Sequence, residues 1–267
     1  MPSNHSPATV MKSSINGMLG AFGLHLGRTP RGITAGPEMV SGSFPPYREL
    51  HRIGSRTNYF IQDGYQHRSA PTYFDDTAST DDSQDEVYRF AKEIADLHEL
   101  RSVIDIGCGS GYKLMKYFQD RSTIGLDVLE TVVVLRRRYS GRRWSVSDFR
   151  AVEVPKADLV IASDVVEHLG DPDELLEFIQ RIGPAYTIIS TPDRNLIRCG
   201  THKGPPANPT HLREWSMAEL HAYLSEYFDI LEHFISYAPQ GTQCVLAQPR
   251  IPQPATTSGQ TTPSTEN

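Results

Sequence analysis

The stretch from Val103 to Leu114, VIDIGCGSGYKL, combines an apolar run with Gly107, Gly109 and Gly111. Apolar residues then recur at helical spacing, so the stretch predicts a strand, a tight turn and a helix. Glycine suits such a turn, because a side chain would block a ligand that approaches the backbone or would forbid the required dihedral angles. We therefore expect a loop that holds an adenosine cofactor.

The spacing of the glycines distinguishes between such cofactors. A dinucleotide fingerprint requires G-x-G-x-x-G, whose third glycine allows close helix packing beside a pyrophosphate. Tyr112 occupies that third position here, and Asp105 precedes the glycines. A glycine turn that binds no ligand has the same local sequence pattern. Residues further along the chain are therefore needed to decide whether this loop binds a cofactor.

Strand-like and helix-like runs alternate along the rest of the chain. We expect strands in SVIDIG, TIGLDV, RWSVSDF, DLVIASDVV and AYTIIST. Helices are expected over about 84–100, after SVIDIG as far as about 119, after TIGLDV as far as about 139, over about 172–182 and over about 217–228. The last two runs, ILEHFISY and TQCVLA, are separated by residues 238–241 alone, so they must pair as an antiparallel hairpin. The sequence predicts an α/β fold, with a seven-stranded, mostly parallel sheet, a reversed last strand and helices on both faces.

Composition restricts the class of function. The chain has 267 residues, of which 38% are hydrophobic, and its formal net charge is -6. That charge provides no overall basic field, so we expect no nucleic-acid partner. A cluster of five arginines at 136–138 and 142–143 is interpreted as a solvated helix end. No run approaches a transmembrane segment, and three scattered cysteines favour a reducing compartment, so we expect a cytoplasmic protein.

The chain divides into three parts by composition. Residues 1–80 form an N-terminal extension that we expect to cover the substrate and cofactor. Residues 81–249 form the domain that carries the glycine loop, and residues 250–267, rich in proline, threonine and serine, form a disordered tail. A loose apolar face over 15–26 could pack on its own domain or on a second subunit, so a homodimer is one arrangement that it allows.

Four short motifs follow one another at ordinary spacing: VIDIGCGSG, GLDV, SVSDF and IASDVVEHLGDP. In this order they resemble the class I S-adenosylmethionine-dependent methyltransferases over roughly 81–249, in particular the small-molecule methyltransferases of types 11 and 23. The resemblance implies a Rossmann-like fold and S-adenosylmethionine as cofactor. The expected cofactor-binding residues are Gln84, Asp105, Gly107, Cys108, Gly109, Gly111, Asp127, Val128, Asp148, Phe149, Ser163, Asp164 and Val165.

Two of these carboxylates have specific expected roles. Asp127 is placed to accept hydrogen bonds from both ribose hydroxyls, as an acidic residue about twenty positions after the first glycine does for other adenosine cofactors. The alternative is a cap for the helix that starts near residue 130. Asp148 is similar to the family's adenine-edge position, and its alternative is an ordinary turn aspartate.

Methyl transfer requires in-line alignment of three atoms and removal of one proton. His168 is the expected proton acceptor, because histidine titrates near neutrality, and His211 is the second candidate. A backbone-bonded histidine at a helix start is the alternative for His168. Asp164, Asp193, His168 and His211 could instead converge on a divalent metal, although no ligand spacing enforces this.

The acceptor site is expected in two segments. One is the connection after the fifth strand, interrupted by four prolines and expected to be an ordered loop; the other is the aromatic-rich segment 58–77. The expected substrate-binding residues are Tyr65, Arg68, Tyr73, Asp193, Asn195, Arg213 and Glu214. Glu214 and Ser216 could equally start the helix near 217.

Aromatic rings flanked by carboxylates and arginine suit a polyhydroxylated ring. We therefore expect an O-methyltransferase that acts on a sugar or another polar hydroxylated small molecule, with a glycan-related acceptor as its partner. Two alternatives remain open at this point. One is N- or C-methylation of a natural product or a quinone-like acceptor, and the other is a cofactor-binding module without turnover.

Overall fold

The computed structural model describes residues 54–70, 75–79 and 84–250. Seven strands form one sheet in the order β3-β2-β1-β4-β5-β7-β6. The strands are β1 (Ser102–Ile106), β2 (Ser122–Asp127), β3 (Arg143–Val146), β4 (Leu159–Ser163), β5 (Tyr186–Pro192), β6 (Phe228–Tyr237) and β7 (Thr242–Pro249). Strands β1 to β5 pair in parallel, whereas β7 runs antiparallel to both β5 and β6. The predicted sheet and its reversed last strand are confirmed.

Helices cover both faces of this sheet. They are α1 (Asp85–Leu97), α2 (Tyr112–Tyr117), α3 (Leu129–Arg138), α4 (Pro172–Ile182), α5 (Arg194–Ile197) and α6 (Met217–Leu224). One buried apolar cluster contains residues of α1, α2 and α3, and a second contains residues of α4 and α6. The sheet separates the two clusters, which is the arrangement that alternating strands and helices predict.

Local signals in the sequence explain several element boundaries. Asp171 caps α4 by accepting a hydrogen bond from the Asp173 amide, and Gly183 ends this helix in the left-handed conformation. Ser216 and Glu219 form a capping box at the start of α6. The predicted starts at 172 and 217 are therefore confirmed, as is the interpretation of Ser216 as a helix starter.

Other boundaries differ from the prediction. Helix α6 ends at Leu224 and Phe228 already opens β6, so the helix predicted to reach 228 was too long. Strand β3 ends at Val146, short of the predicted end at 149. The connection after β5, predicted to lack helix, begins with the single turn of α5, because Pro192 lies before that turn and Asp193 caps it.

The segment 54–70 packs along the connection between β5 and α6. The Gln66 amide donates to the Lys203 carbonyl at 2.8 Å, and the Arg68 amide donates to the Leu212 carbonyl at 2.9 Å. Ile61 and Tyr65 of the segment lie in the same buried cluster as helices α4 and α6. The segment is therefore part of the core of the domain.

A buried ion pair joins these parts. The Arg194 guanidinium lies 2.7 Å from each carboxylate oxygen of Glu219, and both side chains are at most 4% exposed. Glu219 also accepts hydrogen bonds from the amides of Gln62 and Ser216. One carboxylate thus links α5, α6 and the segment 54–70.

Three predictions concern residues outside the described part of the chain: the apolar face over 15–26, Tyr73, and the tail beyond residue 250. Most of the predicted N-terminal extension, residues 1–80, also lies outside the described residues, so the predicted domain boundary stays a prediction. Within the described residues, no helix has the length and apolar character needed to cross a membrane.

We expect Arg194→Met to lower the free energy of unfolding by about 3 to 5 kcal/mol, because the buried Glu219 carboxylate loses its cation. Urea denaturation followed by tryptophan fluorescence measures the change. Arg250→Met is the matched control, since it breaks an ion pair with Asp229 in which the side chains are 49% and 66% exposed. That control should cost less than about 1 kcal/mol. Similar small losses in both variants would contradict a stabilising role for the buried pair.

Candidate functional site

A cavity of about 590 Å³ opens at the carboxyl ends of β1, β2 and β4. Its volume lies in the range of pockets that bind a cofactor-sized ligand. The structure brings ten of the predicted site residues to its wall: Gln84, Gly107, Asp127, Val128, Phe149, Ser163, Asp164, Val165, His168 and His211. Six further residues line it that the sequence analysis did not select: Asp76, Ile106, Ser147, Leu169, Asn208 and Thr210.

The glycine loop has little space for side chains. Gly107 has a φ of +69°, and a Cβ there would lie 2.5 Å from the Val165 side chain. A Cβ at Gly109, whose φ is +51°, would lie 2.1 Å from a carboxylate oxygen of Asp76. Both positions require glycine for conformation and for space. At these two positions the loop backbone packs closely against Val165 and Asp76, and Gly107, unlike Gly109, lines the cavity.

Gly111 and Cys108 have other surroundings. A Cβ at Gly111 would lie 2.8 Å from the ring of Trp144, so this glycine allows packing beneath the loop. The Cys108 side chain is buried, and burial raises the pKa of its thiol. Neither residue lines the cavity. The positions of Gly111 and Cys108 therefore do not support their predicted contact with a cofactor.

Asp127 holds the glycine loop from the end of β2. One carboxylate oxygen accepts a hydrogen bond from the Gly109 amide at 2.8 Å, and the other accepts one from the Val128 amide at 2.7 Å. Val128, without a side-chain cap, is the N-cap of α3, so Asp127 is not the helix cap that the alternative proposed. Burial raises the pKa of Asp127, while the two amides oppose this shift.

Asp105 lies below the loop and outside the wall of the cavity. Its side chain is fully buried and accepts hydrogen bonds from the Tyr88 hydroxyl at 3.0 and 3.1 Å. Burial raises the pKa of the Asp105 carboxyl to about 7. The position favours the ordering of the loop over direct contact with a ligand.

Asp164 is fixed at the end of β4 in a strained conformation, with a φ of +53°. One of its carboxylate oxygens accepts a hydrogen bond from the Ser190 hydroxyl at 2.9 Å, and the other accepts one from the side-chain amide of Gln84 at 2.7 Å. Ser190 in turn lies 2.8 Å from the Ser163 hydroxyl. This network connects β4, β5 and the start of α1 at the cavity wall.

Asp148 and Phe149 separate at the third strand. Phe149 lines the first cavity, whereas Asp148 lines a neighbouring cavity of about 370 Å³. Asp148 also accepts a hydrogen bond from the Arg150 amide at 3.0 Å, which is typical of a turn aspartate. The adenine-edge role of Asp148 stays a prediction, and the turn role is observed.

Three potential metal ligands or bases lie close together; two of them, His168 and His211, line the first cavity, whereas Glu167 does not. A ligating atom of each of Glu167, His168 and His211 lies within 4.8 Å of the others. Glu167 is fully buried, and neither of its carboxylate oxygens has a hydrogen-bond partner of normal geometry. Burial, reinforced by the charge of Asp164, raises the pKa of Glu167 to about 8. We call these three residues the Glu-His-His cluster.

Neighbouring groups orient both histidines of the cluster. His168 Nδ1 lies 2.7 Å from the Thr210 carbonyl, so this nitrogen carries the hydrogen and Nε2 keeps its lone pair. His211 Nδ1 lies 3.0 Å from Glu214, and its Nε2 lies 2.9 Å from the Asn208 side-chain amide. Burial lowers the pKa of His168, which favours the neutral imidazole at pH 7. A hydrogen-bond partner on Nδ1, the ring nitrogen that does not bind the ligand, is typical of catalytic and metal-binding histidines.

The predicted four-residue metal group is corrected in part. His168 and His211 do converge, but the carboxylate grouped with them is Glu167 rather than Asp164 or Asp193. Asp193 is buried and caps α5, accepting from the amides of Asn195 and Leu196. The sequence analysis did not select Glu167. One signal for it was available, because it directly precedes His168 after a strand end.

The predicted substrate-binding residues mainly support the connection that carries His211. Arg68 donates to the Pro206 and His211 carbonyls. Arg213 donates to the carbonyls of Leu169 and Gly170.

The other members of that predicted set have similar structural partners. The Tyr65 hydroxyl accepts from the amide of Glu214, whose side chain contacts His211. Asn195 is exposed. None of these five side chains lines the cavity, and neither does Asp193, so their role as direct substrate ligands stays a prediction without geometric support.

The strand order, the reversed β7, the glycine loop after β1 and the carboxylate at the end of β2 together define the class I methyltransferase fold. Over residues 79–237 the chain matches the model of the type 23 methyltransferase domain, and it belongs to this family of S-adenosylmethionine-dependent methyltransferases. The predicted enzyme class and cofactor are thus confirmed, and the family does not favour the alternative of a cofactor-binding module without turnover.

Individual relatives agree with the fold. A small RNA 2'-O-methyltransferase from Rattus norvegicus is 25% identical over 190 residues, which span 58% of this chain and 45% of that protein's length. The PH0226 protein from Pyrococcus horikoshii OT3 has a TM-score of 0.51 at 16% identity, covering 74% of this chain and all of the other. The (4+2)-cyclase SpnF has a TM-score of 0.50 at 17% identity, covering 70% of this chain and 87% of the other. The structural likenesses show the fold alone.

The residues at the cavity fit the cofactor of the family. S-adenosylmethionine carries its methyl group on a positively charged sulfur, which activates that group for transfer. Asp127 presents a carboxylate to the cavity at the end of β2, where a ribose diol would need acceptors, and Gly107 lies at the cavity wall.

We expect Asp127→Ala to weaken S-adenosylmethionine binding by about 2 to 4 kcal/mol, because it removes charge-assisted hydrogen bonds and the support of the Gly109 amide. Isothermal titration calorimetry measures the dissociation constant. Asp120→Ala is the control, since Asp120 is a largely exposed carboxylate whose side chain pairs with Arg121 away from the cavity. An unchanged dissociation constant in Asp127→Ala would overturn the assignment of the ribose acceptor.

Proposed function

We propose that this protein is an O-methyltransferase that transfers the methyl group of S-adenosylmethionine to a hydroxyl of a sugar or another polyhydroxylated acceptor. The observation that carries the proposal is the Glu-His-His cluster at the end of the cofactor cavity. A hydroxyl is a poor nucleophile until its proton is removed, and this cluster is a means of removing it. An acceptor amine would need less help, because a neutral amine is much more nucleophilic than a neutral hydroxyl.

His168 is suited to accept the proton directly. Its Nδ1 is engaged by the Thr210 carbonyl, so the free Nε2 is the nitrogen available to a substrate. Its place at the cavity wall, five residues after β4 ends, puts it beside the end of the sheet where the cofactor binds. The lowered pKa of His168 keeps it unprotonated at neutral pH.

A divalent cation bound by the Glu-His-His cluster is the second means of acidifying a hydroxyl. A buried carboxylate without hydrogen-bond partners is costly, and a bound cation would satisfy Glu167. Two imidazoles and a carboxylate form a donor set suited to metals such as zinc, iron or manganese. The Thr210 carbonyl and Glu214 contact the Nδ1 atoms of the two imidazoles in the manner of partners that orient metal ligands. A cation at His211 Nε2 would have to displace the contact of that nitrogen with the Asn208 side-chain amide.

The wall of the cavity supports a polar acceptor. At the end near the Glu-His-His cluster it carries Asn208, Thr210 and Asp164. These groups suit an acceptor with several hydroxyls better than a flat apolar ring.

A ribose hydroxyl of RNA is a second candidate acceptor. The relative from Rattus norvegicus is named as a small RNA 2'-O-methyltransferase. The arginine cluster adds a specific observation, because none of its five members takes part in a salt bridge within the described residues. The overall charge of -6 weighs against this acceptor, and we rank it below a small sugar.

An acceptor panel tests the proposal. Release of S-adenosylhomocysteine should be stimulated by monosaccharides, nucleosides or glycosylated small molecules, and the product should carry its methyl group on oxygen by mass spectrometry. A 3'-terminal RNA oligonucleotide and its 2'-deoxy form test the second candidate. Turnover only with amine acceptors would replace O-methylation by N-methylation.

We expect His168→Ala and His211→Ala to lower the turnover rate by about 10² to 10⁴, with cofactor affinity nearly unchanged, because both act on the acceptor proton. Steady-state kinetics and calorimetry measure the two quantities. His98→Ala is the control, since His98 stacks on Tyr186 at the opposite end of the strands. Full turnover in both variants would contradict a role for the cluster.

Chelation then separates the two roles of the cluster. Loss of wild-type turnover on chelation, restored by a divalent cation, would assign the cluster to a metal. Turnover that withstands chelation, together with loss of the acidic limb of the pH profile in His168→Ala, would assign His168 as the base.

A further inference from the structure

Asn208 lines the cofactor cavity beside the two histidines of the Glu-His-His cluster, and it is an exposed residue. A side-chain amide can offer a ligand either an N–H donor or an oxygen acceptor. The orientation of the Asn208 amide therefore decides which kind of chemical group this part of the cavity can bind.

Thr210 fixes the orientation of the Asn208 amide. The backbone nitrogen of Thr210 lies 3.0 Å from Asn208 Oδ1, and the Thr210 hydroxyl lies 2.8 Å from the same oxygen. A backbone N–H can only donate, so the atom of Asn208 that faces it must be the oxygen. The oxygen of Asn208 is thus occupied within its own turn, and the nitrogen is directed elsewhere.

His211 agrees with this orientation from the other side of the amide. Asn208 Nδ2 lies 2.9 Å from His211 Nε2, and His211 Nδ1 lies 3.0 Å from the carboxylate of Glu214. Because the carboxylate accepts, His211 Nδ1 carries the hydrogen and His211 Nε2 accepts from Asn208. This bond uses one N–H of Asn208, and the second N–H has no partner within the described residues. Asn208 therefore presents a free donor to a ligand in the cavity.

His168 provides a free acceptor near this donor. The Thr210 carbonyl lies 2.7 Å from His168 Nδ1, which leaves the lone pair of His168 Nε2 available to a ligand. The rings of His168 and His211 are in edge-to-face contact, with their centroids 4.8 Å apart. Thr210 thus anchors both groups, since it holds His168 through its carbonyl and Asn208 through its amide and hydroxyl.

The turn that carries Asn208 is also held from outside the cavity. The Arg68 guanidinium donates to the carbonyls of Pro206 and His211, which lie on either side of Asn208 in the chain. The His211 amide donates to the Asn208 carbonyl at 3.2 Å. Backbone contacts therefore set the spacing of the Asn208 donor and the His168 acceptor before an acceptor molecule binds.

We propose that Asn208 is a specificity-determining residue that, together with His168, selects acceptors with two neighbouring hydroxyls. The hydroxyl to be methylated donates to His168 Nε2, and the oxygen of the neighbouring hydroxyl accepts the free N–H of Asn208. The first oxygen then bonds to the methyl carbon as the carbon–sulfur bond breaks, and its proton passes to His168. The inference rests on the proposed function and names the substrate class of the same site, a vicinal diol.

The test measures kcat/KM on the full chain for a diol acceptor and for its analogues that lack the neighbouring oxygen. The probes are the hydroxyl acceptors that the panel identifies. Adenosine with its 2'-deoxy and 3'-deoxy forms, and methyl α-glucoside with its monodeoxy forms, are compared first. We expect the wild type to lose about tenfold in kcat/KM when the neighbouring oxygen is absent, because the Asn208 donor is then left unpaired.

Asn208→Ser isolates the donor, because serine keeps an oxygen for the Thr210 amide but is too short to reach the acceptor. We expect this variant to lower kcat/KM for the diol by about tenfold, mainly through KM, and for the deoxy analogue by less than about twofold. The dissociation constant of S-adenosylhomocysteine should stay within about twofold by calorimetry. Asn208→Ala is a second variant for which the same non-additive loss is expected.

Gln119→Ser is the matched control, because Gln119 is an exposed side-chain amide just before the start of β2, whereas the cavity opens at the other end of the strands. It should leave kcat/KM for every acceptor within about twofold.

Two outcomes would overturn the inference alone. Equal kcat/KM for the diol and its deoxy analogues in the wild type would show that the neighbouring oxygen makes no selective contact. An equal loss for diol and analogue in Asn208→Ser, carried by kcat, would make Asn208 a structural support for His168. Wild-type protein that methylates no hydroxyl of any acceptor would instead overturn the proposed function, and the inference with it.

Discussion

The parallel pairing of β1 with both β2 and β4 is the constraint on which the site depends. It brings the ends of three strands to one edge of the sheet, where Gly107, Asp127 and Asp164 follow them directly. Hydrogen bonds then extend this alignment beyond the strands, since Asp127 holds the Gly109 amide. The chain needs no long-range adjustment to form the cofactor side, because strand register alone sets the positions of these groups.

The acceptor side is built differently. His211 stands on an irregular connection, and its position depends on buried charged groups that would be costly alone, above all Arg194 and Glu219. Many of the polar residues in this region satisfy backbone carbonyls and leave only a few side chains directed into the cavity. The connection is therefore held at His211 by buried polar contacts rather than by strand register.

Sequence reasoning recovered the parts that local patterns specify. The strands, the capped starts of α4 and α6, the glycine loop and Asp127 each follow from short-range signals and from a motif order that resembles a known family. Asp193 and Arg213 were interpreted as substrate ligands because dense polar residues in a loop indicate function, yet Asp193 caps its own helix and Arg213 donates to backbone carbonyls of another segment. Glu167 and Asp76 were missed because burial and proximity across the sheet decide their roles, and neither property can be read from neighbouring residues.

The pairing of segment 54–70 with residues 203–219 has a consequence for biosynthesis. A nascent chain that has emerged as far as about residue 170 already contains the strands that carry the glycine loop, yet it lacks Arg194 and Glu214, which contact Tyr65. Tyr65 gains these contacts only when the last third of the domain arrives. The strands that carry the glycine loop and Asp127 can therefore pair early in translation, whereas the connection that carries His211 must wait for its end.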